Sequence, residues 1–211
     1  MRTSSWDLRR PPGPLLAAAL LTLSACGPLE ELPSSSSPTS GRAEALSTRT
    51  PNDPLFAQQR WHLEAMRVPE AWSLTTGDPS TLVAVLDSGS LPHEDLDAKW
   101  ESGYDFYEGD NDPVDRAGTY HHGIHTAGII GAVANNNVGG AGICWGCKLM
   151  PVRVLQGGGT TQAGYPGVRD YPRALSNAIR YAAGLPADNG WGQTVQAPRR
   201  AAVINVSIGQ A

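Results

Sequence analysis

The sequence predicts an α/β fold in which a doubly wound, mostly parallel sheet is flanked by helices. A continuous apolar, β-branched run occupies 81–86, and such a run is typical of a strand buried on both faces of a parallel sheet. Residues 148–155 and 201–208 are predicted to be two further strands. Helical patterns separate the three predicted strands, which implies right-handed crossovers between parallel strands. The first run ends in a polar group at Asp87, at the sheet edge where open α/β folds place ligands and catalytic groups.

The helices between these strands are predicted from spacing and end signals. Residues 69–74 fit a short helix that Gly77 and Pro79 close. Residues 124–133 combine apolar and small side chains and fit a buried helix.

The clearest helix is predicted over 171–183. Leu175, Ile179 and Ala182 follow helical spacing and predict its buried stripe. After this helix, the insertion from Leu185 to Arg200, which includes Trp191, has no predicted role. The run at 201–208 is then predicted to be a third buried strand.

Composition excludes two broad classes of protein. The chain has 211 residues, of which 40% are hydrophobic and 17% charged, so it carries enough apolar material for a core and too little charge for a disordered chain. Its net charge of −4 argues against nucleic acid as a partner, since phosphate binding needs a basic surface. A soluble, loop-rich domain that is a monomer remains the expectation.

The N-terminus predicts export. Residues 1–26 combine three arginines, an apolar run over 15–23 that is too short to span a bilayer, and a terminal Leu-Ser-Ala-Cys. This order resembles a bacterial lipoprotein signal, in which Cys26 would be lipidated; the alternative is a plain secretory peptide with an incidental cysteine. The Ser- and Pro-rich stretch over 27–50 predicts a flexible tether. Both alternatives predict export. A lipoprotein signal would attach the protein to a membrane only through its N-terminal lipid anchor, and a plain signal peptide would give a secreted protein.

Two local patterns carry candidate chemistry. Asp87 follows the first buried strand, and His122 opens the small-residue helix. A buried carboxylate can accept a hydrogen bond from one imidazole nitrogen, which fixes the tautomer and makes the other nitrogen a general base. Each residue alone is more often a turn former or a structural histidine.

Over 51–211 the chain closely resembles the subtilisin-like serine proteases. The resemblance rests on VAVLDSGS, HEDL, HGIHTAGIIGA, KLMPVRVL and VINVSIG, which occur in the family's order. It implies that Asp87 orients the base and that His122 is the base, in a family whose chain order is Asp, His, Ser. His121 falls one position early in the HGxH pattern, and His125 is expected to be structural.

The resemblance also implies two strands that bind a polypeptide substrate. Ser207, Ile208 and Gly209 match the strand that borders the pocket for the residue before the cut. The glycines Gly157, Gly158 and Gly159 lie where a second substrate-pairing edge is expected, and glycine allows close backbone approach. The alternative for each segment is an ordinary turn or strand end.

Calcium is the cofactor that the resemblance implies. The sequence NNNVGG over 135–140 resembles the family's calcium loop, and oxygen ligands of mixed type suit a hard cation. The alternative is an Asn-rich turn without metal. The expected ligands are two carboxylates, one amide side chain and three backbone carbonyls, from Asp53, Asp95, Asn136, Val133, Val138 and Gly140.

A second acidic cluster fits no EF-hand spacing and is predicted to be a solvated loop, with a weaker metal site as the alternative. Its members are Asp105, Asp110, Asp112 and Asp115.

Cys144 and Cys147 form a CxxC motif. In an exported protein the pair predicts a tight disulfide, because a redox role would need a thioredoxin-like context that the sequence lacks. A zinc site that combines these cysteines with His121, His122 and His125 is a remote alternative, since the HExxH spacing is missing.

A serine protease also needs a nucleophile and oxyanion donors. In the family these come from Gly-Thr-Ser and Gly-Asn motifs beyond the last strand, and no Gly-Thr-Ser occurs in the 211 residues. The expectation is therefore a partial peptidase domain over 51–211, truncated in its C-terminal half and inactive alone. The alternative is a non-catalytic, exported lipoprotein that binds peptides.

Overall fold

The computed structural model describes residues 46–116, 121–155 and 171–208, all within the compact unit Glu44–Ala211. The predicted signal sequence, most of the tether and the expected substrate-binding residues Gly157, Gly158, Gly159 and Gly209 lie outside the described residues. Within those ranges no helix is both long enough and apolar enough to cross a membrane.

The elements follow the predicted alternation of strands and helices. The described helices are α1 (Phe56–Ala65), α2 (Val68–Leu74), α3 (His122–Gly131) and α4 (Tyr171–Ala182), with a 3-10 turn at Asp97–Lys99. The described strands are β1 (Leu82–Asp87), β2 (Tyr104–Asp105), β3 (Lys148–Arg153), β4 (Ala187–Asp188), β5 (Thr194–Val195) and β6 (Val203–Val206).

Four strands form a parallel sheet in the order β2-β3-β1-β6. In its register, Asp105 of β2 lies opposite Arg153 of β3, which in turn lies opposite Asp87 of β1. Three charged residues therefore form one row across the sheet at its carboxyl edge.

The two faces of β1 are covered by different helices. Leu82, Ala84 and Leu86 belong to a core cluster that includes residues of α4, whereas Val83 and Val85 belong to a second cluster that includes Ala127 of α3. Every residue of β1 is buried. This arrangement confirms the predicted α/β class with helices on both faces of a parallel sheet.

The prediction that β6 is fully buried is wrong. The side chains of Val203 and Val206 are 53% and 39% exposed. Among the strands that the structure describes, β6 lies at the edge of the sheet and pairs only with β1. Because residues 203 and 206 point to opposite faces of the strand, neither face of β6 has the full cover that β1 receives.

The predicted stripe of α4 is wrong at Ile179, which is 40% exposed. The helix instead buries Ala178 and Tyr181 beside Ala182. The Tyr181 ring packs on Tyr104 at 5.6 Å and its hydroxyl donates to the carbonyl of Gly103 at 3.2 Å. The aromatic ring, with its polar tip satisfied, displaces the isoleucine from the core.

The two N-terminal helices form a third core cluster. Phe56 and Leu63 of α1 pack with Trp72 of α2, and the Trp72 indole packs on the Trp145 ring at a centroid distance of 4.6 Å and a tilt of 45°. The Trp72 Nε1–H donates to the carbonyl of Ile143 at 2.8 Å, which satisfies its polar atom in the core.

The insertion over 185–200 contains the antiparallel hairpin of β4 and β5. Its anchor is Asn189, which is 3% exposed and donates to the Tyr104 hydroxyl at 2.9 Å. Trp191 lies against Gly109, whose φ of +83° and close indole contact leave no room for a side chain. The hairpin therefore covers the turn that follows β2.

Candidate active site

Asp87 and His122 meet at the carboxyl edge of the sheet. Asp87 ends β1 and His122 begins α3, and the imidazole Nδ1 lies 2.8 and 2.9 Å from the two carboxylate oxygens. The carboxylate is fully buried, whereas 27% of the His122 side chain is exposed. Asp87 also accepts the backbone N–H of Ser88 at 2.7 Å and faces the Thr126 hydroxyl at 3.4 Å.

Two glycines allow this approach. Gly89 has a φ of +113°, and a Cβ there would lie 2.4 Å from the carbonyl oxygen of Pro113. A Cβ on Gly123 would lie 2.3 Å from the carbonyl oxygen of Gly89. Side chains at either position would separate the turn after β1 from the start of α3, and would move the imidazole away from Asp87.

This geometry assigns protons to atoms. Because the ionised Asp87 carboxylate only accepts hydrogen bonds, the neutral His122 ring carries its proton on Nδ1 and its lone pair on Nε2. The ring can then take a proton on Nε2, and the buried carboxylate stabilises the resulting imidazolium. The predicted pair is thus brought together in the form that general-base chemistry needs.

Asp115 is a site residue that sequence reasoning missed. It was predicted to lie in a solvated loop, but it is 2% exposed, and its Oδ2 accepts the Ser88 hydroxyl at 2.7 Å. The Nδ1 of His121 lies 3.4 Å from the same oxygen. The hydroxyl of Ser88 offsets part of the cost of burying this carboxylate.

The prediction of a solvated loop is also wrong for Asp105. It is fully buried and accepts a hydrogen bond from Arg153 Nη1 at 2.6 Å, and that guanidinium also lies 3.1 Å from Glu108 and over the Tyr107 ring. The other two members of the acidic cluster, Asp110 and Asp112, are exposed as predicted.

Burial acts on both members of this ion pair. Desolvation raises the pKa of Asp105 to about 6, although Arg153 and two backbone amides oppose the shift. Burial disfavours the charged guanidinium too, but Asp105 and Glu108 more than offset it and raise the pKa of Arg153. The guanidinium stays charged, and both partners are almost fully buried, so the pair is not open to a substrate.

The expected substrate strand is described in part. β6 pairs with β1 up to Val206 opposite Leu86, so Ser207 follows at the edge where Asp87 lies. Ser207 is exposed and accepts a hydrogen bond from Asn205 Nδ2 at 3.1 Å, while Ile208 packs partly on the core.

The expected calcium ligands lie around one loop. Asp53 accepts the backbone N–H groups of Asn135 at 2.8 Å and Asn136 at 3.1 Å. Asp95 accepts the Asn136 Nδ2 at 2.8 Å, and its backbone carbonyl accepts the N–H of Val133. Asn136 Oδ1 accepts the N–H of Val138 at 2.9 Å.

The donor chemistry of this loop fits a hard cation. Asp53 and Asp95 are both nearly fully buried, at 4% and 3% exposed, and the remaining expected ligands are amide or carbonyl oxygens. The described residues contain no cluster of three or more His, Cys, Asp or Glu side chains suited to a metal. A site here therefore depends on backbone and amide oxygens in addition to the two carboxylates.

Cys144 and Cys147 are joined by a disulfide in the structure. The bridge lies against Gly77, where a Cβ would collide with Cys144. Lys99 Nζ donates to the carbonyl of Trp145 between the two cysteines. With both sulfurs bonded to each other, these cysteines do not serve as zinc ligands together with the histidines.

Comparison with known proteins identifies the family. The model of the subtilase family, Peptidase S8, matches residues 78–211. Thermitase of Thermoactinomyces vulgaris is 34% identical over 161 residues, which cover 76% of this chain and 48% of thermitase. The extracellular basic protease of Dichelobacter nodosus is 33% identical over 143 residues, covering 53% of this chain and 24% of that protease.

A solved structure agrees with these matches. A protease of Pseudoalteromonas arctica superposes with a TM-score of 0.59 at 32% identity, over 76% of this chain and 51% of the other. The chain thus spans about half the length of thermitase and of that protease. The chain belongs to the subtilase family of serine proteases.

Proposed function

We propose that this chain supplies the acid–base half of a serine endopeptidase site, with His122 as the general base and Asp87 as its orienting carboxylate. The bidentate contact between His122 Nδ1 and the buried Asp87 carboxylate carries the proposal. Membership of the subtilase family supports it, because the family couples this pair to a serine.

The reaction follows from the protons assigned above. His122 Nε2 takes the hydroxyl proton of a serine as its oxygen attacks the peptide carbonyl, and Asp87 stabilises the imidazolium. The imidazolium then protonates the leaving amine, which leaves an acyl-enzyme. A water molecule, activated by the same nitrogen, hydrolyses the ester. These 211 residues contain no Gly-Thr-Ser, so the proposal assigns to this chain the general base and its carboxylate and names no serine in it.

The substrate is a polypeptide held as an added strand. Ser207 and Ile208 follow β6 beside the carboxyl end of β1, and an extended peptide would pair with their backbone groups. The expected partners Gly157, Gly158, Gly159 and Gly209 would supply the remaining backbone contacts. Neither nucleic acid nor a second copy of the chain is required.

A fluorophosphonate probe, which labels activated serines, tests the function. The 211-residue chain should remain unlabelled. A chimera in which residues 46–208 precede the C-terminal part of thermitase should be labelled, and His122→Ala in the chimera should abolish labelling. The matched control is His125→Ala, which changes an exposed histidine of the same helix. Labelling of the isolated chain, or labelling that survives His122→Ala, contradicts the proposal.

Export and lipid anchoring belong to the same proposal. The charged, apolar and Cys26-terminated leader supports them, and a relative is named as an extracellular protease. In a bacterial host, radiolabelled palmitate should be incorporated into the chain, and the labelled chain should fractionate with membranes. Cys26→Ala should remove both the label and the membrane association; Cys144→Ala is the control.

Calcium is proposed to bind the loop around Asn136 and to stabilise the fold without a role in bond cleavage. Binding to the folded state alone should add about 2.7 kcal/mol to the free energy of unfolding at a calcium concentration near 100 times Kd. Asp53→Asn and Asp95→Asn should remove the effect, whereas the exposed Asp112→Asn should retain it. A melting temperature that does not respond to calcium contradicts this part.

A further inference from the structure

We propose that Asp115 is a positioning residue that holds His122 against Asp87, and that it acts through the hydroxyl of Ser88. The inference rests on the proposed role of the His122–Asp87 pair, and extends it to a residue that touches neither substrate nor the reacting nitrogen. Asp115 lies 27 positions from Ser88 in the chain, yet both are buried and in direct contact.

Ser88 connects the two halves of the pair. Its backbone N–H donates to Asp87 Oδ1 at 2.7 Å, and its hydroxyl oxygen accepts the backbone N–H of Gly123 at 2.9 Å. Gly123 directly follows His122 in the first turn of α3. One residue therefore binds the orienting carboxylate and the helix start that carries the imidazole.

Asp115 determines how that hydroxyl is used. A hydroxyl has one proton and two acceptor lone pairs. Because the Ser88 hydroxyl donates its hydrogen bond to the Asp115 carboxylate at 2.7 Å, its lone pairs are directed to the N–H of Gly123. Without an anionic acceptor at 115, the hydroxyl can rotate and present its proton to that N–H, which removes the tie between the turn and α3.

The backbone around Asp115 is itself fixed. The N–H of Asp115 donates to the carbonyl of Ser90 at 2.8 Å, and the N–H of Ser90 donates to the carbonyl of Pro113 at 2.9 Å. The same carboxylate faces His121, the residue before His122, at 3.4 Å. Asp115 thus contacts the chain on both sides of the catalytic pair, through Ser88 after β1 and through His121 before α3.

Histidine-selective ¹⁵N NMR tests this inference on the 211-residue chain at a pH where the imidazole is neutral. In the wild type, His122 should be predominantly the Nδ1–H tautomer. Asp115→Ala and Ser88→Ala should both lose that predominance, because each removes one partner of the Ser88–Asp115 hydrogen bond. Exchange of the Gly123 amide should become about tenfold faster, as expected when one net hydrogen bond is lost.

The controls separate positioning from stability. Ser88→Thr retains the hydroxyl and should restore the wild-type tautomer, and Asp112→Asn alters an exposed carboxylate in the same segment and should change neither signal. If Asp115→Ala fails to fold, Asp115→Leu, which fills more of the buried space and also lacks an acceptor oxygen, takes its place. A wild-type tautomer in the folded variant at 115 and in Ser88→Ala would overturn the inference while the catalytic pair stands. A wild type without the Nδ1–H tautomer would contradict the pair itself.

Discussion

Asp87 and Asp105 lie at the same edge of the sheet, at the carboxyl ends of β1 and β2, and their surroundings give them different roles. Asp87 and Asp105 lie in one row, each beside Arg153 in the register of the parallel strands, and both are fully buried. The partner of Asp87 is an imidazole with 27% of its side chain exposed, whereas the partner of Asp105 is a guanidinium with 3% exposed.

The partner and its cover therefore separate the catalytic carboxylate from the structural one. A guanidinium does not exchange its charge near neutral pH, and a sealed pair cannot meet a substrate. An imidazole can gain and lose a proton, and its exposed edge can reach one. The hairpin that covers Gly109 helps to close the region of Asp105, while the region of His122 stays open.

The largest effect on stability is expected from breaking the buried ion pair between Arg153 and Asp105. Arg153→Met should lower the free energy of unfolding by about 3–5 kcal/mol at neutral pH, because it leaves a buried carboxylate without its cation. Chemical denaturation measures the loss. Arg116→Met, which breaks exposed pairs with Glu108 and Asp112, should cost less than about 1 kcal/mol. Equal losses for the two variants would show that the burial of Asp105 has no consequence.

The pH dependence of Asp105 gives the next effect. Its folded pKa of about 6 exceeds the ordinary value of 3.8, so between these values the folded state binds more protons than the unfolded state. Stability from this group is present at acid pH and declines as the pH rises through 6. The stability of wild type relative to Asp105→Asn should therefore fall by on the order of 2–3 kcal/mol between about pH 4 and pH 7. Denaturation of both proteins across this range measures it, and a rising difference would reverse the sign.

The smallest effect on stability is expected at the partly exposed pair of His122 and Asp87. Asp87→Asn keeps an oxygen for the Ser88 N–H and a side chain of the same shape, so the free energy of unfolding should change by about 1 kcal/mol or less. The same denaturation experiment measures it. A loss as large as that of Arg153→Met would mean that Asp87 is chiefly structural.

The sequence was sufficient for the parts of the molecule whose signals are local. The run at 81–86 is uninterrupted, so β1 and the position of Asp87 at its carboxyl end were predictable. The apolar pattern indicates α3 only from Ile124, whereas the helix begins at His122, where the second local pattern had placed its start. The α1 helix was missed since its sequence, FAQQRWHLEA, is polar on most of its surface.

The buried acidic residues were not predictable from composition, because their partners are distant in the chain. Asp105 meets Arg153 across 48 positions, and Asp115 meets Ser88 across 27. One signal was available for the first pair: Arg153 interrupts an otherwise apolar strand, and a charge in a buried strand requires a counter-charge. For Asp115 no comparable local pattern distinguishes it from exposed Asp112.

The rate of peptide hydrolysis by the thermitase chimera, compared between Asp87→Asn and Asp105→Asn, tests the central claim most directly. Asp87→Asn should lower kcat by about 10⁴-fold, because the amide holds His122 in the wrong tautomer. Asp105→Asn should leave kcat within a small factor of the unmodified chimera at neutral pH. A comparable loss in both variants, or full activity with Asp87→Asn, would contradict the assignment of Asp87 as the catalytic partner of His122.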